Sequence, residues 1–155
     1  MQENETLPTV SPIGYAADRR RLSERIMRRM AGSDRRKPWP ELFFNGSFSA
    51  SLSPDEAGPY AETLENVRRA PSASNKQPWR IVYDKNRKTF FFYISRAMGY
   101  RKLRDVSLQD VDLGIAMCHF ELTIKDLGLK GSWRREDTAP QVKSLEYVVS
   151  WRSEG

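Results

Sequence analysis

The segment from Ala70 to Trp79 (Ala-Pro-Ser-Ala-Ser-Asn-Lys-Gln-Pro-Trp) concentrates polar chemistry in a short span. Two hydroxyls, Ser72 and Ser74, stand beside two amides, Asn75 and Gln77, and one ammonium, Lys76, between Pro71 and Pro78. The prolines stiffen the backbone and lower the entropy cost of presenting those groups. Each amide carries both a donor and an acceptor. Such a loop suits a ligand with N, N–H and C=O groups along one edge. The same residues equally suit a polar connector whose side chains cap neighbouring backbone.

Other chemistry-bearing residues are sparse. Cys118 and His119 are adjacent on a predicted helix, where neighbours point apart, so core packing is the reading for both over a metal or catalytic role. One cysteine excludes an internal disulfide framework and a cysteine-rich zinc site. Trp79 reads as a strand residue packing inward. Trp133, Arg134 and Arg135 read either as a ligand cover or as a surface turn. No nucleophile–base pair stands out.

Charge is local. The chain has 155 residues and a formal net charge of +6. Residues 17–37 hold that whole excess, in a run that includes Arg19, Arg20, Arg21, Arg25, Arg28, Arg29, Arg35, Arg36 and Lys37. A patch of this kind attracts a phosphate, a nucleic acid, an acidic partner or only water.

The elements that must position these groups follow from pattern. Residues 1–16 read as an extended lead-in broken by Pro8 and Pro12. Residues 17–31 read as a helix with Leu22, Ile26, Met27 and Met30 on one stripe and Gly32 as its stop. Pro38-Trp39-Pro40 reads as an extended link. Ser53-Pro54-Asp55-Glu56 has the form of a capping box, although Gly58-Pro59 delays the main helix to Pro59. Tyr60, Leu64 and Val67 form that helix's buried stripe, and Pro71 ends it. Residues 79–84 and 89–94, rich in aromatic and β-branched types, predict a hairpin across Asp84–Lys88. Ser107–Asp110 looks like a second capping box, opening a long helix to about Leu127, with Gly128 closing it. Apolar residues lie nearly all round this helix, which marks it as a central, buried element. Residues 145–151 predict a last strand. Interspersed strands and helices give an α/β or α+β class.

Three stretches carry a family resemblance. Pro71-Ser72-Ala73-Ser74-Asn75-Lys76-Gln77-Pro78-Trp79 resembles the flavin-contacting loop of the FMN-dependent nitroreductase family. Asp110 to Leu122, followed by Leu127-Gly128-Leu129-Lys130-Gly131, is similar to that family's core helix and the loop after it. Ser11-Pro12-Ile13-Gly14-Tyr15, then Arg35-Arg36-Lys37-Pro38-Trp39-Pro40-Glu41-Leu42, resembles its C-terminal strand and basic phosphate-binding tail. The order, tail first, fits the duplicated nitroreductase subgroup, in which one chain carries two half-domains. The match runs from about Val10 to Trp151 and implies the C-terminal half of a longer protein. The family's usual Arg-x-Ser-x-Arg phosphate grip has no counterpart at its expected place. Arg21-Leu22-Ser23-Glu24-Arg25 fits by letters but lies downstream of Gly14-Tyr15 and is read as chance.

The resemblance implies an α+β fold, a nitroreductase-like mixed sheet packed with helices around a long buried central helix. It divides the chain into a lead-in strand and basic helix over 1–37 and a nitroreductase-like half-domain over 38–155. It implies FMN as cofactor, with hydride passing from NAD(P)H through the flavin to a nitroaromatic or quinone-type acceptor. Pro71, Ser72, Ser74, Asn75 and Gln77 would face the ring, Arg36 and Lys37 the phosphate, and Gly131 the loop closing over the flavin. It implies a homodimer or pairing with a complementary half-domain. The alternative is a non-catalytic dimerising subunit with a degenerate flavin pocket. A nucleic-acid role for the basic helix has no supporting motif. No apolar run approaches the ~20 residues of a membrane helix, and residues 1–6 lack the features of a signal peptide, so the expected setting is cytoplasmic.

Overall fold

The hairpin forms where the aromatic and β-branched residues place it. In the computed structural model, which describes Tyr15 and residues 22–96 and 107–154, β2 (Trp79–Asp84) pairs antiparallel with β3 (Thr89–Ile94). The Asp84 carboxylate accepts from the backbone N–H groups of Asn86 (3.0 Å) and Arg87 (3.1 Å), which closes the turn. On the far side of β3, β5 (Glu146–Ser153) adds antiparallel, beginning and ending slightly later than the sequence pattern predicts.

Two short strands complete a five-stranded sheet of order β1-β2-β3-β5-β4. β1 (Phe43–Asn45) runs parallel to β2, and β4 (Gly131–Arg134) edges β5 antiparallel. Sequence pattern announced neither, and Trp133 and Arg134 lie in β4 rather than in a turn. Nor is Pro38-Trp39-Pro40 an extended link. α2 (Trp39–Leu42) is a single helical turn, with Pro38 extended at its N-cap (ψ 150°) and Pro40 in the first turn, where no N–H is required.

The capping box at Ser53 is realised. Ser53 Oγ accepts from Glu56 N–H at 3.2 Å, and Glu56 Oε2 accepts from Ser53 N–H at 2.8 Å. It starts only α3 (Pro54–Ala57). Gly58, at φ 57°, and Pro59 then turn the chain through a 3-10 turn into α4 (Ala61–Arg69), two residues beyond the expected start. Tyr60, Leu64 and Val67 are buried as expected.

α5 (Leu108–Asp126) is the core helix. Ser107 stands at its N-cap without capping it; its hydroxyl accepts from Arg96 Nη1 at 3.0 Å. Leu113, Ala116, Phe120 and Ile124 pack with α4 on one face of the sheet, against Ile81, Phe90, Phe92 and Trp151. Phe120 meets Phe90 and Phe92 at 5.2 Å and Trp151 at 5.3 Å between ring centroids, in edge-on contacts. Val82, Phe91 and Tyr93 face the other way, into a smaller cluster with Phe44, Phe48, Leu145 and Tyr147. Cover on both faces explains why every residue of β3 is buried.

The apolar girdle of α5 is only half used within this chain. Gly114, Cys118 and Leu122 are exposed, Leu122 at 61%. The expectation that Cys118 packs in the core is therefore corrected: it lies on the helix's outer face. α1 (Leu22–Ala31) behaves similarly, with Leu22, Ile26 and Met30 exposed rather than packed. Residues 17–21 of its expected span, and the lead-in apart from Tyr15, lie outside the described residues. Among the described residues, no helix is long and apolar enough to cross a membrane.

Candidate functional site

The polar loop leaves α4 at Ala70 and enters β2 at Trp79. Within it, Ser74 (φ 49°), Asn75 (φ 52°) and Gln77 (φ 47°) are all left-handed. Each such residue other than glycine costs roughly 1–2 kcal/mol, least for asparagine, so the surroundings must over-determine the conformation. The loop's internal bonds do part of this. Ser72 Oγ accepts from Gln77 N–H at 2.8 Å, and Ser72 O from Asn75 N–H at 3.0 Å.

The side-chain amides do the rest by reaching across to the basic segment. Asn75 Nδ2 donates to the carbonyls of Gly32 (2.6 Å) and Arg35 (2.8 Å). Asn75 Oδ1 accepts from Gln77 Nε2 (3.1 Å) and Arg36 Nη1 (3.2 Å). Gln77 Oε1 accepts from Lys37 N–H at 2.8 Å, and its side chain is buried. Arg36 also donates through Nε and Nη2 to Arg69 O, each at 3.2 Å, and through Nη1 to Ser33 O at 2.8 Å. One network thus ties the C-terminal end of α4, the 70–78 loop and residues 32–37 together.

Ser72, Asn75, Gln77, Arg36 and Lys37 therefore meet in one network, with Pro71 and Ser74 exposed on the same loop. Gly131 lies apart. It opens β4, the edge strand, while the loop feeds β2, with β3 and β5 between them. A Cβ on Gly131 would collide with the Trp151 ring and the Arg152 carbonyl, so the glycine permits close strand packing there.

Three cations cluster beside the network. Burial pushes the Lys37 ammonium below its usual range, Arg80 and Lys76 nearby lower it further, and Glu41 opposes them. Burial also lowers Arg80, whose Nη1 donates to Trp79 O (2.6 Å) and Gln77 O (3.1 Å). Lys37, Lys76 and Arg80 against Glu41 leave a positive excess suited to an anion. In the sequence Lys76 stands out only as part of the polar loop, and Arg80 not at all. An arginine inside an aromatic strand was the available signal for the second.

Beneath the loop lies a carboxylate that pattern also missed. Asp112 of α5 is 2% exposed, and its Oδ1 accepts from Ala73 N–H at 2.7 Å. Its Oδ2 is buried and, among the described residues, has no partner. Burial pushes this carboxyl above the usual range, and the Ala73 bond pulls it back. Among the described residues, no group of histidine, cysteine and carboxylate side chains could hold a metal ion.

The polar loop, the basic segment bound to it and the core helix beneath it are the parts the sequence resemblance requires. The family model described as "Putative TM nitroreductase" matches residues 1–124 of the 155. The chain belongs to that family. Its fold is also similar to the crystal structure of a nitroreductase family protein from Clostridium difficile 630. The TM-score is 0.51 at 19% identity, over 61% of this chain and 69% of that one. No curated protein matches it. Membership places this nitroreductase-family chain among oxidoreductases.

The donor set fits a flavin mononucleotide in part. The cation cluster suits a phosphate, and the exposed Ser74 and the loop backbone suit the polar edge of a ring. The amides of Asn75 and Gln77 are already engaged within the chain. They shape the loop rather than offering free groups to a ligand.

Proposed function

We propose that this nitroreductase-family chain is an FMN-dependent oxidoreductase. In this reading it carries a hydride from NAD(P)H through the flavin to a nitroaromatic or quinone-type acceptor, in the cytoplasm. The observation that carries the reading is the Asn75–Gln77–Arg36 network, which fixes a strained polar loop beside three cations. Lys37, Lys76 and Arg80 would hold the phosphate. Pro71, Ser72 and Ser74 would line the ring, with Asn75 and Gln77 holding their backbone in place. Arg36 binds the carbonyls of Ser33, Arg35 and Arg69 and the Asn75 amide, so it acts by placing Lys37 rather than by gripping phosphate itself. When bound, FMN supplies the redox chemistry, and the protein supplies orientation and electrostatics. Gly131, at the far sheet edge, would approach a flavin only through a second chain.

Such a chain is read as working in an assembly, a homodimer or a pairing with a complementary half-domain. The exposed stripe of α5 supports this. A cavity of about 380 Å³ runs along it, lined by Gly114, Met117, Cys118, Leu122 and Trp133. Exposed apolar surface of this kind marks interaction sites.

A second reading, a partner subunit with a degenerate flavin pocket, is favoured by the engagement of both amides inside the chain. An absorption spectrum of the purified chain after incubation with FMN and desalting separates the two. Retained flavin absorbance, bleached by NADH or NADPH, is expected for the oxidoreductase. A colourless protein that leaves FMN free would favour the partner subunit.

A further inference from the structure

Asp112 has no evident use in the fold. A buried carboxylate with one oxygen unpartnered is costly, and an apolar residue there would be better tolerated by the core. It projects from the core helix α5, and its Oδ1 accepts from the N–H of Ala73 in the loop. That point matters because Ala73 immediately precedes the left-handed Ser74 and Asn75. Ser72 before it is fully extended, at φ −148° and ψ 157°. The turn closed by the Asn75 N–H on Ser72 O begins at Ala73, and the bond to Asp112 ties that first residue to the core helix. The amide network holds the loop from the side of residues 32–37; Asp112 holds it from the core.

We infer that Asp112 is the positioning residue of the 70–78 loop, anchoring the Ala73 amide to the core helix so that the strained turn keeps its ligand-facing shape. The inference rests on the flavin reading for the identity of the ligand, but the anchor itself does not. A carboxylate accepts from a backbone N–H more strongly than a neutral group does. A residue that lowers stability yet preorganises a strained loop is the compromise expected at a binding site.

The test uses the full chain with Asp112→Ala and Asp112→Asn, and two readouts. Hydrogen exchange of the Ala73 amide, followed by NMR without ligand, reads the anchor. Quenching of FMN fluorescence on titration with protein reads the site. Asp112→Ala is expected to speed Ala73 exchange and weaken FMN binding, each by about tenfold, as loss of one charge-assisted bond predicts. Asp112→Asn keeps an oxygen for the same N–H and is expected to restore both to within about threefold of the parent. A purely structural carboxylate would not show matched loss and rescue at one amide. Unchanged Ala73 exchange in Asp112→Ala overturns the inference, as does an asparagine variant as impaired as the alanine one. Should Asp112→Ala fail to fold, Ala73→Pro deletes the donor instead, and the extended Ser72 accommodates a following proline. Ala73→Pro with unaltered FMN affinity would then overturn it. If the parent chain binds no FMN, the flavin reading fails while Ala73 exchange still decides the anchor.

Discussion

Asn75 uses its entire amide on its own chain. Two donated and two accepted bonds account for everything the group can make, and they join segments about forty residues apart. Asparagine is also among the few residues that accept φ 52° at modest cost. Asn75→Ala should therefore destabilise the chain by about 2–4 kcal/mol, combining lost bonds with left-handed strain. Urea denaturation checks this, and FMN affinity should fall in parallel. Unchanged stability would mean that the amide does not bridge the two segments in solution. That Pro71–Trp79 is a candidate site was legible from its density of amides and hydroxyls between prolines. Which groups those amides would satisfy was not, because several partners are main-chain groups, the Gly32 and Arg35 carbonyls and the Lys37 N–H, which every non-proline residue has. Asp112 was illegible for a different reason: α5 also carries Asp110, Glu121 and Asp126, and pattern alone does not say which of these acids the fold buries.

At the scale of elements, the hairpin and the two main helices were legible because their own residues prefer those states. β1 and β4 were not. With only three and four residues, they are strands chiefly because β2 and β5 offer them hydrogen bonds, so tertiary pairing decides. Gly131 shows how tightly that pairing is built. Gly131→Ala must push the Trp151 ring or the Arg152 carbonyl aside, and should cost about 1–3 kcal/mol. Gly114→Ala is the control: its Cβ would meet nothing within 4 Å, and alanine is favoured over glycine in a helix by about 1 kcal/mol. Thermal unfolding should move down for the first and up for the second. Equal shifts would mean that β4 is not seated against Trp151 as described.

For the whole molecule, the informative surface is the one the chain leaves bare. Leu22, Ile26 and Met30 on α1, and Gly114, Cys118 and Leu122 on α5, repeat at the same four-residue spacing and remain exposed. The all-round apolar character of α5 was legible; the half of it that the chain leaves uncovered became visible only in the fold. Leu122→Arg should leave folding intact, since the side chain is already in solvent, and should lower the sedimenting mass if the α5 face joins two chains. An unchanged mass in parent and variant would remove that face from the assembly.

Trp133 gives this surface an optical consequence. Trp79 and Trp151 are sealed in the core and Trp39, with its indole nitrogen buried, packs on Phe43, whereas Trp133 is only partly buried, on the rim of the α5 cavity, where its indole N–H donates to Glu121 Oε2 at 3.1 Å. Its emission is therefore sensitive to whether water or another apolar surface lies over the groove. Diluting the protein through its association range should redden the intrinsic fluorescence if chains separate there, so this one indole reports assembly without any label.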